Sequence, residues 1–191
     1  MDYETNTARL VMLTLICVVV VISSDALATS ASEQEQSKSH ASAARVISFN
    51  GGRVVVQRQN NLDHVTVTDN AGKLQSESWC PLESGSYDEL LTFFKRFVAA
   101  LAVADTDTVV LLVRYPLRVN RATNIEISDP ETLLRRYAEV FNPAVVKQLR
   151  NTAPEAIFCR NSSAMIGNGI VWAHAERGHV ALDVLNWTAP H

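Results

Sequence analysis

Residues 86–101 read SYDELLTFFKRFVAAL, and this stretch decides the fold class because it specifies one amphipathic helix with a marked start. Ser86 and Glu89 form a capping box, in which each side chain satisfies a backbone N–H at the helix start. Apolar side chains recur at helical spacing, namely Tyr87, Leu90, Leu91, Phe94, Phe97, Val98 and Leu101. The charged residues fall on the other face, namely Asp88, Glu89, Lys95 and Arg96. We therefore expect this helix to lie against a core with its polar side in water.

The segment before this helix has the pattern of short antiparallel strands. Four strands are expected, at residues 45–49, 53–56, 64–68 and 73–79. Turn-forming residues separate them, at 50–52, 60–63 and 69–72. Together these features predict a β-meander over residues 45–79.

The segment directly after the helix changes from a helical to a strand pattern. Asp105 is placed to cap a shorter helix that continues through residues 109–113. Pro116 is expected to end that helix, because the residue before a proline is biased away from helical angles. Strands are then expected at residues 117–119 and 123–127.

Two further helices and a hairpin complete the chain. Ser128 and Glu131 form a second capping box ahead of an apolar stripe, and Asn142 with Pro143 starts a separate helix because proline suits the first helical position. Three strands are expected in this part, at residues 156–159, 170–175 and 180–187. A glycine-bearing turn at residues 176–178 joins the last two strands.

This order of elements predicts an α+β fold, in which a curved antiparallel sheet packs on helices and an N-terminal β-meander forms an extension. The element order over residues 86–187 and the phrases YPLRVN (115–120) and MIGNGIVW (165–172) resemble the nuclear transport factor 2-like, or SnoaL-like, superfamily and uncharacterised exported bacterial proteins of this shape. The resemblance implies a cone-like domain over residues 80–191, with a sheet wrapped around a long helix. That scaffold serves isomerases, cyclases, dehydratases and non-enzymatic binders, so the fold does not choose the function.

The amino terminus has the pattern of a secretory signal. An apolar run at residues 10–22 follows Arg9 and precedes a small-x-small site, so residues 1–28 are expected to be a signal peptide cleaved before Thr29. The alternative is a retained anchor, which the length of the run disfavours because about 20 apolar residues span a bilayer. Residues 29–44 are polar and serine-rich, as in a disordered spacer. We expect an exported protein, periplasmic or secreted, without a membrane span after cleavage.

Cleavage would leave two cysteines, Cys80 and Cys159. An even pair in an exported chain usually forms a disulfide, and this bond would tie the end of the meander to the closing sheet. Two buried free thiols are the alternative.

The charge balance excludes some classes of partner. The chain has 17 Lys and Arg residues against 20 Asp and Glu residues, without a basic cluster. This composition argues against a nucleic acid and against an anionic membrane surface as partners. No cofactor is predicted, because no motif indicates one.

Three residues are candidates for ligand or partner binding. Tyr115 and Arg118 lie where the helical pattern gives way to a strand, and an arginine near the mouth of an apolar cone can anchor an acidic ligand or a partner's carboxylate. Trp172 lies on a closing strand, where an indole can form a pocket wall. For each of the three, a structural role is the alternative.

Other polar pairs favour structural roles. His174 and His179 flank the last turn, but a metal site needs further ligands at suitable geometry, so no metal is predicted. Asp105 and Asp107 stand where a helix start wants side-chain acceptors. Enzymes of the superfamily place a buried Asp or His opposite a tyrosine or an acid inside the cone, and no such pair maps onto numbered positions here.

These observations favour an exported, non-enzymatic binding or protein-interaction domain of the cell envelope, of which an immunity or inhibitor protein is one form. Its partner would be a protein or a small apolar ligand. The alternative function is a small lyase or isomerase acting on an apolar ligand in a conical pocket. A structural accessory domain is a third hypothesis, and it predicts a broad exposed apolar patch without a pocket.

Overall fold

The computed structural model describes residues 43–81, 85–176 and 178–187. The expected signal peptide at residues 1–28 and nearly all of the expected spacer lie outside the described residues. Within the described residues, no helix has both the length and the hydropathy needed to cross a membrane.

The described residues form two β-sheets and five helices, which confirms the α+β fold class. The strands are β1 (Arg45–Phe49), β2 (Gly52–Gln59), β3 (Leu62–Asp69), β4 (Leu74–Pro81), β5 (Val113–Asn120), β6 (Ile125–Ile127), β7 (Phe158–Arg160), β8 (Ser163–Ile166), β9 (Val171–Glu176) and β10 (His179–Asn186). The helices are α1 (Tyr87–Ala102), α2 (Thr106–Leu111), α3 (Pro130–Arg135), α4 (Tyr137–Val140) and α5 (Pro143–Arg150).

The first sheet is the meander, with its four strands in the order β1-β2-β3-β4 and all neighbours antiparallel. Strand alternation sends one set of side chains into the core, namely Val54, Val56, Val65 and Val67. The four strands that the sequence predicts are thereby confirmed, with β2 and β3 longer than expected.

Helix α1 begins as the sequence predicts, with Ser86 and Glu89 forming both hydrogen bonds of the capping box. A third group from the meander completes this helix start. The backbone N–H of Tyr87 donates to the buried carboxylate of Asp63 at 2.9 Å, and the Arg58 guanidinium donates to both carboxylate oxygens of Asp63. The meander therefore stabilises the start of α1 through Asp63, a contact that the sequence pattern of α1 does not reveal.

The second sheet has six strands in the order β6-β5-β10-β9-β8-β7. Strands β5 and β10 are parallel, and the other neighbours in this sheet are antiparallel. The inner face of this sheet carries buried residues such as Val171, Ala173 and Leu182 and packs on the same core as α1. We call the opposite side of this sheet the outer face.

The disulfide between Cys80 and Cys159 joins the two sheets, as expected from the sequence. It links β4 to β7 with a Cα–Cα distance of 5.1 Å. The backbone N–H of Cys159 also donates to the Ser78 hydroxyl at 3.1 Å. The meander and the six-stranded sheet consequently share one hydrophobic core.

Two expected boundaries are wrong. The short helix α2 ends at Leu111, and Pro116 lies inside β5 with a cis peptide bond after Tyr115. Strand β10 has a bulge between Leu182 and Val184, where the pairing with β5 is interrupted. Pro116 lies on the part of β5 that faces this interruption. The strand is not required to donate a backbone N–H to β10 there, so a proline is tolerated.

A capping prediction and a strand also need correction. The residue that caps α3 is Asp129, whose carboxylate accepts from the backbone N–H of Thr132, and not Ser128. Pro130 then occupies the first helical turn, which suits its missing N–H. Strand β8 was not expected from the sequence, because its four residues alternate too briefly to give a clear period.

Candidate functional site

Arg118 and Trp172 lie on one cross-strand row of the outer face. Directly opposite residues on neighbouring strands point to the same face, so the register defines the row. Each of the six strands contributes one residue, in the order Phe158, Met165, Trp172, Val184, Arg118 and Glu126. Two residues that are far apart in the sequence are therefore brought onto one surface, which we call the outer row.

The part of the outer row from the edge strand β7 to β10 is apolar and partly exposed. Its four apolar members are Phe158, Met165, Trp172 and Val184. Along β9 the neighbours of Trp172, Val171 and Ala173, are fully buried, because they point to the inner face. The indole of Trp172 therefore lies outside the core that stabilises the fold.

The end of the row formed by β5 and β6 is charged. Arg118 is well exposed, and its Nη2 lies 3.4 Å from Oδ2 of Asp183. Asp183 lies within the bulge of β10, between Leu182 and Val184. Glu126 lies opposite Arg118 on β6, so each neighbouring strand places an acidic residue next to Arg118 in the sheet. This arrangement offers one exposed cation and two carboxylates beside an apolar strip.

A second cross-strand row runs beside the outer row. It consists of Arg160, Ser163, His174 and Ala181. His174 is partly buried, and its Nε2 lies 3.7 Å from Oε2 of Glu176. On this side the apolar strip is consequently bordered by Arg160, Ser163 and His174.

Tyr115 does not belong to the outer face. Its side chain packs against the core, and its hydroxyl donates to the backbone carbonyl of Val110 at 3.2 Å. Burial, with a smaller contribution from Asp129, raises the pKa of Tyr115 to about 12. The phenol therefore stays protonated and holds β5 against α2, while Arg118 faces the opposite side of the sheet.

The histidines of the last hairpin are two rungs apart. His174 pairs with Ala181, and His179 pairs with Glu176 at the exposed start of β10. Among the residues that the structure describes, no cluster of three or more His, Cys, Asp or Glu side chains is arranged to hold a metal ion. Asp105 accepts from the backbone N–H and the hydroxyl of Thr108 and so caps α2.

Aromatic side chains fill the interior between α1 and the six-stranded sheet. Phe94 and Phe97 are fully buried, and Phe97 meets Phe141 edge to face. Asp63 is the one buried carboxylate among the described residues, and Arg58 and the helix start already occupy its oxygens. The hydroxyl of the buried Tyr87 donates to the Glu155 carbonyl, and burial raises the pKa of Tyr87. Asp63 and Tyr87 therefore each have a structural hydrogen-bond partner.

Sequence reasoning missed four members of the outer row, the fourth being Glu126 on β6. Phe158, Met165 and Val184 become neighbours of Trp172 only through the pairing of β7, β8, β9 and β10. Val184 carried a local signal, since it lies in the expected strand 180–187. Met165 carried none as a surface residue, because β8 itself was not expected.

Comparison of the chain with protein-family models, with curated proteins and with solved structures gave no match.

Proposed function

We propose that this protein is an exported, non-enzymatic interaction domain of the cell envelope that binds a protein partner through the outer face of its six-stranded sheet. The observation that carries the proposal is the outer row, where four apolar side chains stand partly exposed beside Arg118. Tryptophan, methionine and arginine are enriched in protein interfaces relative to the rest of the protein surface.

The layout of the outer face also supports a protein partner. Its apolar strip has charged residues at one end and polar residues along one side, which resembles the apolar core and polar rim of protein–protein interfaces. Six strands spaced about 4.8 Å apart make the row about 24 Å long, and its four apolar members cover about 14 Å of it. A row of this length on the open face of a sheet suits a protein surface better than a small molecule.

Other features support export and a binding role. The Cys80–Cys159 disulfide is typical of proteins outside the cytoplasm. The observed element order of helix, short helix, two strands, helices and a closing hairpin supports the nuclear transport factor 2-like resemblance. The filled interior around Phe94 and Phe97 favours a binder over a lyase or isomerase with a conical pocket. An immunity or inhibitor protein is one specific form, in which the partner is an enzyme that this face covers.

The test is site-specific photo-crosslinking in the envelope of the native host. A photoreactive residue at position 165 places the probe beside Trp172, and a probe at Thr66 places it on the outer side of the meander. We expect a discrete adduct of defined mass from position 165 and none from position 66. The substitution Trp172→Ala is expected to abolish the adduct, because it removes the largest apolar contact of the row.

Trp79→Ala is the control, because Trp79 is a strand tryptophan that is more exposed than Trp172 but lies on the meander. It should leave the adduct from position 165 intact. Equal adducts from positions 165 and 66, or an adduct that survives Trp172→Ala in a folded protein, would contradict the proposal. An adduct between two copies of this chain would identify the partner as a second copy of the same protein.

A further inference from the structure

A groove among the helices lies apart from the outer face. It encloses about 420 Å³ between the C-terminal end of α1, the link from α1 to α2, helix α4 and helix α5. Pockets that bind small molecules have volumes of roughly 300–1,000 Å³. All of its described lining residues belong to helices, helix caps or that link, and we call it the helical groove.

The floor of the helical groove is apolar. Leu101 and Phe141 are buried there, with relative exposures of 3% and 4%, and Val146 and the ring of Tyr137 are partly exposed beside them. Two buried and two partly exposed apolar side chains give a surface on which the hydrocarbon part of a ligand would lose contact with water.

The rim of the helical groove is positively charged. Lys147 and Arg150 are exposed on α5 and three residues apart, so they lie on the same side of the helix. The Arg150 guanidinium donates one hydrogen bond to the Ala102 carbonyl, which holds it beside the groove and leaves other N–H groups for a ligand. Within the described part of the chain, Lys147 has no ion-pair partner and the lining contains no Asp or Glu.

We propose that the helical groove binds a small amphipathic carboxylate. The apolar body lies on Leu101, Phe141 and Val146, and the carboxylate accepts charge-assisted hydrogen bonds from Lys147 and Arg150. This is a small-molecule site, separate from the protein-binding outer face in its residues and in the chemistry of its occupant.

The test is a titration of the purified protein with octanoate, followed by amide chemical shifts in two-dimensional NMR spectra. We expect saturable shifts centred on residues 101, 104, 141, 146, 147 and 150. Octylamine has the same chain with the opposite charge, and acetate has the charge without the chain. Both are expected to bind at least about tenfold more weakly, which corresponds to about 1.4 kcal/mol.

A charge reversal at the rim separates this site from surface effects. Lys147→Glu should weaken octanoate binding at least tenfold, whereas Lys73→Glu, on an exposed turn of the meander, should not change it. Trp172→Ala should also leave octanoate binding intact. The proposal for the helical groove and the proposal for the outer face can therefore be refuted independently of each other. Shifts scattered over the surface, equal binding of octylamine, or wild-type affinity in folded Lys147→Glu would overturn the proposal.

Discussion

Removal of the Cys80–Cys159 disulfide should lower the free energy of unfolding by several kcal/mol. The bond closes a loop with a sequence separation of 79 residues. In the chain-entropy treatment, a loop of that size restricts the unfolded chain by about 4.5 kcal/mol at 25 °C, which is an upper limit for the native bond. Both cysteines are buried, so their replacement also removes packing at the junction of the two sheets.

The assay is urea denaturation of oxidised protein, of protein reduced with a phosphine, and of the Cys80→Ala/Cys159→Ala double variant. We expect reduction to lower the free energy of unfolding by about 3 to 4.5 kcal/mol. The double variant serves as the control for the reductant, which should have no effect on it. The backbone N–H of residue 159 donates to the Ser78 hydroxyl without involving the disulfide. This hydrogen bond is therefore expected to keep β7 beside β4 in the reduced protein and in the double variant.

Two results would refute this reasoning. A change of less than about 1 kcal/mol on reduction would mean that the unfolded chain is already constrained, so that loop closure adds little. Reaction of both thiols with a labelling reagent in native, non-reduced protein would mean that the bond does not form.

Three further predictions concern local features of the fold. Asp63→Ala should lower the free energy of unfolding, measured by urea denaturation, by about 2 to 4 kcal/mol, because it leaves the Tyr87 N–H without an acceptor and Arg58 without its partner. Asp63→Asn should lower it by less, and equal losses from the two variants would count against the hydrogen bond. Ala104→Gly should stabilise the protein by about 0.5 to 1 kcal/mol, because Ala104 directly follows Val103, the C-cap of α1, and has a φ of 55°. A lower melting temperature would contradict this. Hydrogen bonds from Ser128 and Thr132 lower the pKa of Asp129 to about 2, below its ordinary 3.8, so its contribution is present above pH 3.8 and is lost as pH falls towards 2. Asp129→Asn should flatten the pH dependence of stability in that window, and an unchanged acid unfolding curve would show that the cap has no such effect.

Elements with a local signal were predictable from the sequence. The capping box at Ser86 and Glu89 uses residues three apart, so the start of α1 can be read directly. The hairpin of β9 and β10 has long apolar strands around a short turn. The end of α2 was not predictable, because a β-branched run such as Val109 and Val110 suits a helix or a strand until the pairing of β5 with β10 decides.

The outer row was only partly predictable for a different reason. Arg118 and Trp172 were named singly from the sequence, but their alignment requires the parallel pairing of β5 with β10 and the bulge at Asp183. A shift of one residue in that register would turn Arg118 towards the core. Surface sites that span strands depend on register, and register is set by contacts between distant segments.

The two sheets of this chain provide an internal comparison for the outer row. Both sheets bury one face in the same core, so folding requires apolar side chains on one face of each sheet only. The outer side of the meander combines polar and isolated apolar side chains: one of its rows runs through Val46, Val55, Thr66 and Glu77, and Trp79 lies exposed on the neighbouring row.

The outer row differs from the meander rows because its four apolar side chains occupy four consecutive strands, from Phe158 on β7 to Val184 on β10. Strand propensity favours tryptophan but gives no special preference to methionine, and solubility disfavours both at an exposed position. Neither Met165 nor Trp172 belongs to the core, so the proposed interface rests on this continuous apolar run and not on the presence of a single exposed tryptophan.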